Sequence, residues 1–393
     1  MKQKSSSLGL GVIGVLVGAF ALVSSTSCSS SNSAPLADGG AGEGGATSCE
    51  GAPTLTKSEF CSSCTFSDKA SPNTCRPPRT INACCTFVQA PTQDIARGTN
   101  LVRNSSTDAT LDLGCLDAPP ALGTPKNVTI KGFVRVFSSG GDSAGVKVEI
   151  FKEGANGALG DLIGTPAITT SEGKFFTTTD PKYFSTPPGG SGPQKPTYLK
   201  KCPDGGCTFR EFTYAGVPTE TPLIVKTSDA TGGSTWASFY DYNIYFANSG
   251  VGAGDEVYYE PAAVAATDIN TVASAAGGFT VKQDRGLLAG EVHDCGDVRV
   301  SGAMVDTDVA HEGEMFYFGE NEADPLPDKS RNSQGTSRLG TFGTLNLPTG
   351  TPMRISAVGK VGGQTVLLGT YTVQTFPGSV TALSFRGRRP WQK

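Results

Sequence analysis

Histidine is nearly absent: His293 and His311 are the only two in 393 residues. That shortage argues against a Ser-His-Asp or Cys-His nucleophile. A catalytic zinc, which normally takes three protein ligands, is equally ill supplied. His311-Glu312-Gly313-Glu314 satisfies H-x-x-E, yet Met315 stands where H-E-x-x-H needs its second histidine. Phosphate loops are missing too; Gly9, Gly11 and Gly14 match G-x-G-x-x-G, but no strand precedes them. Charge is sparse, at 17% of residues with a net value of −4. Losing Lys2 and Lys4 with a leader would make that −6, which disfavours a nucleic-acid partner.

Glycine and proline are plentiful, at 51 and 25 residues, a balance that suits many short strands and tight turns. Val128 and Ile130, then Val146, Val148 and Ile150, recur at every second position, with Lys131, Lys147 and Glu149 between them. That period places apolar groups on one face of a sheet. A hairpin with one apolar face needs a second sheet to cover it.

At the start of the chain, Lys2 and Lys4 precede an uncharged run from Leu8 to Val23, followed by small residues and Cys28. This three-part pattern predicts a secretory signal over 1–27. A tether of Ser, Gly, Ala and Pro follows over 28–48, with a reach on the order of 25 Å as a coil. Seven cysteines then crowd 49–126: Cys49, Cys61, Cys64, Cys75, Cys84, Cys85 and Cys115. Cys202, Cys207 and Cys295 complete the ten that remain when Cys28 is set aside. In an exported protein an even count reads as a disulfide framework. Zinc at Cys61-Ser-Ser-Cys64 with Cys84 and Cys85 is the weaker rival, because no second C-x-x-C and no nearby His support it. Cys202 and Cys207, the two ends of the six-residue stretch Cys202-Pro-Asp-Gly-Gly-Cys207, are expected to close a bridged turn.

Two stretches repeat. The first, over 127–248, carries a Pro- and Gly-rich insertion at 177–212; the second covers 286–385. Gly132 corresponds to Gly290, Gly173-Lys174-Phe175 to Gly340-Thr341-Phe342, and Val217-Pro218-Thr219 to Leu347-Pro348-Thr349. Between them, 249–285 is a linker with one helix, capped by Thr267, striped by Ile269, Val272, Ala273 and Ala276 and stopped at Gly277-Gly278. A basic tail, 386–393, closes the chain.

Ser25-Thr26-Ser27-Cys28 resembles the lipobox of bacterial lipoproteins, with Ser25 where Leu is usual. The resemblance implies acylation of Cys28 and, with Ser29 following it, sorting to an outer membrane. Leu288-Ala289-Gly290-Glu291-Val292, Thr336-Ser337-Arg338-Leu339-Gly340-Thr341-Phe342 and Leu347-Pro348-Thr349-Gly350 resemble the carboxypeptidase regulatory-like, or transthyretin-like, domain. That family implies Greek-key sandwiches close to carbohydrate-binding modules and no catalytic residues. The expectation is an all-β chain: two tandem Greek-key β-sandwiches behind a small disulfide-rich module. Its function would be non-catalytic adhesion, scaffolding or partner binding at the cell envelope, with a membrane reached through the lipid and no cofactor. The alternative is a carbohydrate-binding module, in which Trp236, Tyr240 and Tyr242, on one face of a strand, stack on a glycan if they are exposed. The acidic stretch holding Asp306, Asp308, Glu312, Glu314, Glu320, Glu322 and Asp324 reads better as a solvated face than as a calcium loop.

Overall fold

The computed structural model describes residues 100–393 except 106–107, 109, 118–119, 138–141, 177–205, 310, 322–324, 388 and 392–393. The expected signal, tether and Cys28, and Cys49, Cys61, Cys64, Cys75, Cys84, Cys85 and Cys202, lie outside these residues. A one-turn helix, α1 (Gly114–Asp117), follows the two-residue strand Val102–Arg103. Seven principal strands follow in the first half: β1 (Asn127–Phe133), β2 (Arg135–Val136), β3 (Val146–Glu153), β4 (Leu159–Leu162), β5 (Glu211–Pro218), β6 (Leu223–Asp229) and β7 (Phe239–Ile244). Next come β8 (Glu256–Tyr258), β9 (Ala262–Ala265) and α2 (Ala266–Gly277). The second half holds β10 (Gly286–Val292), β11 (Met304–Thr307), β12 (Glu312–Tyr317), β13 (Thr341–Leu347), β14 (Met353–Val361), β15 (Gln364–Val373) and β16 (Val380–Phe385). The described chain is all-β in architecture.

The pairings repeat as the letters do. β1 pairs antiparallel with β5 and parallel with β8; β10 pairs antiparallel with β13 and parallel with β16. β6 lies antiparallel between β3 and β7, as β14 lies between β11 and β15. A shared contact explains the matched glycines. A Cβ at Gly132 would sit 1.8 Å from the Tyr259 carbonyl oxygen, and one at Gly290 1.9 Å from that of Leu383. In each half the neighbouring chain comes too close for any side chain.

A threonine latch is also duplicated. Thr169 Oγ1 accepts from the Val146 N–H at 3.2 Å and donates to the Ser143 carbonyl at 2.8 Å. Thr336 Oγ1 accepts from the Ala303 N–H at 3.0 Å and donates to the Val300 carbonyl at 2.9 Å. Both threonines are buried, and each satisfies a turn that has no ladder partner there.

One sheet runs through both halves. Its order is β12-β13-β10-β16-β7-β6-β3-β4, with the short strand Ala167–Ile168 pairing β3 as the ninth member. The join is β7 beside β16, parallel and in register from Phe239↔Val380 to Tyr242↔Leu383. The linker at 249–285 therefore does not interrupt the hydrogen-bonded sheet. Side chains alternate across it, so its two ends can be covered from opposite sides. Over the first half, Val148, Ile150 and Val225 pack against Val128, Ile130 and Tyr214. Over the second half the other face is used: Tyr242, Leu288, Phe342 and Leu383 pack against Ile355 and Leu368. Each such fully buried side chain contributes roughly 1.5–3 kcal/mol.

α2 forms where expected, with Ile269 and Ala273 buried, and stops at Gly278 in the left-handed conformation. The cap differs: Ala265, not Thr267, is the N-cap, and no side chain caps it. The chain enters directly from β9, so the helix starts one turn-forming residue before the threonine. Among the described residues, no helix is long and apolar enough to cross a membrane.

Cys115 and Cys295 form a disulfide, and Cys207 is bridged as well. The first of these ties α1 to the turn after β10. Leu101, Leu113 and Leu116 join the core of the second half, and Val102–Arg103 pairs with Val300–Ser301. The described end of the cysteine-rich stretch is thus fastened to the second half by a disulfide and core leucines, while Gly123 and Lys126 donate backbone hydrogen bonds to Glu220 and Thr219 of the first half.

Candidate functional site

The rings offered for sugar stacking face inward. Trp236, Tyr240 and Tyr242 are 8%, 8% and 1% exposed. They are also divided: Trp236 belongs to the core of the first half, while Tyr240 and Tyr242 belong to that of the second. Trp236 leaves the strand because Trp236–Ala237 pairs with β9 instead of the main sheet. Each ring is anchored by its neighbours. Trp236 Nε1 donates to the Ala144 carbonyl at 2.8 Å, Tyr242 Oη to that of Gly157 at 2.8 Å, and Tyr240 stacks on Phe376 with centroids 4.1 Å apart. An exposed platform at these three residues is corrected to a packed interior, where aromatic strand residues lose most water.

The histidines are likewise tied down. His311 is bounded by Asp306 at 3.2 Å and by Thr344 Oγ1 at 3.0 Å. Among the described residues no three His, Cys, Asp or Glu side chains converge on a metal position. Asp308 pairs with Arg354, and Glu320 with Arg338, so these members of the acidic stretch are held in ion pairs.

The polar centre lies on the opposite side of the β7–β16 join. Asp241 from β7, Ala382 and Ser384 from β16, and Ala289 and Glu291 from β10 share one face, because Asp241 pairs with Ala382, Ala289 with Ala382 and Glu291 with Ser384. α2 covers one end of that face, packing Ile269 and Ala273 with Leu287, Val380 and Phe239. The remainder floors a cavity of about 830 Å³. β2 contributes Arg135 to its wall, the segment after β8 Tyr259 and Glu260, and the segment after β16 Arg386 and Arg389.

The charges form a connected set. Arg299 grips the Glu291 carboxylate with two nitrogens, Nη2 to Oε1 at 2.7 Å and Nε to Oε2 at 3.1 Å. His293 lies between Glu291 (Nε2 to Oε2, 2.9 Å) and Asp297 (Nδ1 to Oδ1, 2.9 Å). Burial works against the His293 cation, but hydrogen bonds to Asp297 and Glu291 outweigh it and raise the imidazole above its usual range. Burial likewise opposes the Glu291 anion, yet Arg299 and His293 hold it well below the ordinary carboxyl range. Arg386 Nη1 meets Asp297 at 2.7 Å. Asp241 behaves differently. Tyr259 Oη donates to it at 3.0 Å, and Arg386 and Arg135 favour its charge, but burial dominates and pushes it up to about 6.

No family model matches the chain, and no curated protein matches it. Its class is therefore set by its own architecture, an all-β protein with one sheet shared by two repeats and a polar cavity beside the join. Sequence reading missed this site. His293 was noted only for its isolation, and Asp241, Glu291, Arg135 and Arg386 come from four separate elements whose spacing in the chain carries no motif.

Proposed function

We propose that the chain is an exported, non-catalytic binding module held at the cell envelope by acylation of Cys28, and that its cavity is the place of binding. In this reading its halves are tandem Greek-key sandwiches of the carboxypeptidase regulatory-like kind. The matched ladders, glycines and threonine latches support that duplication. The carrying observation is the cavity itself. Its walls come from β2, β7, β10 and β16, and its carboxylates are already paired with protein donors, so little rearrangement is needed to receive a ligand. The two repeats would supply the rigid frame, since the join at β7 and β16 fixes one wall against the other.

The test is to purify the full chain from its native membrane, denature it and weigh what is released. A small molecule in near-stoichiometric amount, lost from an Ala289→Phe variant that still folds, is expected. Turnover of a substrate by the purified chain would remove the non-catalytic reading. Substitution of Cys28 by Ser is expected to shift the protein from the membrane to the soluble fraction.

A further inference from the structure

The cavity floor changes character along the strands. Its first row, beneath α2, is apolar: Leu287, Val380 and Phe239. Its second row pairs two alanines, Ala289 and Ala382, with Asp241. The third holds Asn243, Ser384 and Glu291, and His293, Arg386 and Arg389 stand beyond it. From the first row to the third is four residues, or roughly 13 Å. The hollow exists because the middle row is small; a methyl group on each of β10 and β16 leaves the space that a larger side chain would fill. A smaller apolar hole of about 70 Å³ under α2 shares Phe137, Phe239, Val264, Ala289 and Thr341 with the main cavity, so the apolar end extends below the helix.

The polar end favours an anion. Five guanidinium groups line the cavity; Arg338 is held by Glu320, and the other four (Arg135, Arg299, Arg386 and Arg389), joined by His293, face four carboxyls, Asp241, Glu260, Glu291 and Asp297. Every one of those carboxyls already receives a donor: Tyr259 for Asp241, Tyr258 for Glu260, Arg299 and His293 for Glu291, and Arg386 for Asp297. Arg386 keeps Nε and Nη2 without a hydrogen bond among the described residues, its bond to Asp297 using Nη1 alone. Those two nitrogens form the planar edge that a carboxylate accepts in bidentate fashion.

We propose that the cavity binds a small amphiphile, a carboxylate head at Arg386 and an apolar body of roughly 10–13 Å lying over Ala289 and Ala382 toward the hole beneath α2. The assignment rests on the cavity being a binding site, and it names the ligand class. Asp241 lies beside the path of the apolar body, so its neutral form suits the ligand better than its charged form. Binding therefore tightens as pH falls from 8 toward 5.5. The groups facing Asp241 and the head are Tyr259, Glu260, Arg135, Arg386, Arg389, Glu291, His293 and Asp297; among them only His293, whose added proton also favours an anion, has its ordinary range inside that window.

The test uses the full chain with Cys28→Ser, handled without detergent, and isothermal titration with sodium decanoate. Decanoate is expected to bind at least about 100-fold more tightly than acetate, given ~0.8 kcal/mol per buried methylene. Arg386→Gln should weaken it about 10-fold, and Ala289→Phe should abolish it with melting behaviour retained. Asp241→Asn should gain less affinity than the native chain between pH 8 and 5.5, the remaining gain being that of His293. Equal binding of decanol, decyl phosphate or decylammonium overturns the carboxylate head and leaves the binding cavity standing. Absence of any amphiphile from the cavity, with no molecule released from the native protein, overturns both.

Discussion

The two halves share a plan and spend it differently. Each has a strand with an antiparallel partner on one side and a parallel partner on the other, a glycine under a neighbour's carbonyl, and a threonine latch. In the first half the parallel partner is β8, which ends its three-stranded sheet. In the second it is β16, which has β7 on its far side and so joins the halves. The same local grammar thus produces a sheet edge in one copy and a junction in the other. A repeat is free to differ where its neighbour ends, and the cavity lies at that place.

The glycine pair breaks or sharpens this comparison most strongly. Gly290→Val forces β10 away from β16 inside the shared sheet, with the Phe342 ring 2.6 Å from the new Cβ as a second clash. The expected cost is about 4 kcal/mol or more, read as loss of the folded chain in denaturant titration. Gly132→Val pushes on Tyr259, whose hydroxyl serves Asp241. It should be costly by about 1–3 kcal/mol while leaving the β7–β16 join intact, and its particular signature is a weakened cavity. Equal loss of fold in both variants would mean that β16 is no more central than β8.

The threonine latches make a finer test. Thr169→Val and Thr336→Val each strand a buried N–H, that of Val146 or Ala303, at about 1–3 kcal/mol. Thr336 has additional support, since Arg331 Nη2 donates to its carbonyl at 2.9 Å. The two losses of stability, measured by urea unfolding, should agree within about 1 kcal/mol; a wider gap would show that the latches are alike in geometry only.

These devices explain which parts of the molecule were legible in advance. Val146, Val148 and Ile150 alternate because one face is buried, and all three are fully enclosed. Gly132 and Gly290 stand out because no other residue fits beneath a carbonyl at that distance. The join was invisible, because a parallel pairing of Phe239 with Val380 leaves no mark on either strand's alternation. Trp236 was misplaced for a related reason. Its parity matched Tyr240 and Tyr242, but the chain crosses to β9 before Ser238, and parity does not survive a change of partner. The cavity charges belong to elements brought together only by that hidden join.

Asp241 tests the junction at the smallest scale. Its carboxyl titrates near 6 in the folded chain, against about 4 when unfolded. A raised acid contributes its stability below the unfolded value and loses it as pH climbs through the folded one. The native chain should therefore lose stability from this group between pH 4 and 6, by at most about 3 kcal/mol, less what water in the cavity screens. Asp241→Asn keeps the shape and an acceptor for Tyr259, and it removes that loss. The variant should match the native chain near pH 4 and exceed it by about 1–2 kcal/mol at pH 7.5. Glu291 provides the opposing control from the same face. Its depressed carboxyl gives stability above its unfolded value that disappears as pH falls, so Glu291→Gln should cost most at pH 7.5 and least in acid. Two carboxyls on adjoining rows of one sheet, moved in opposite directions, then report whether the join presents both to one shared cavity. If both variants shift stability with the same sign across that range, the two groups do not share the environment assigned to them.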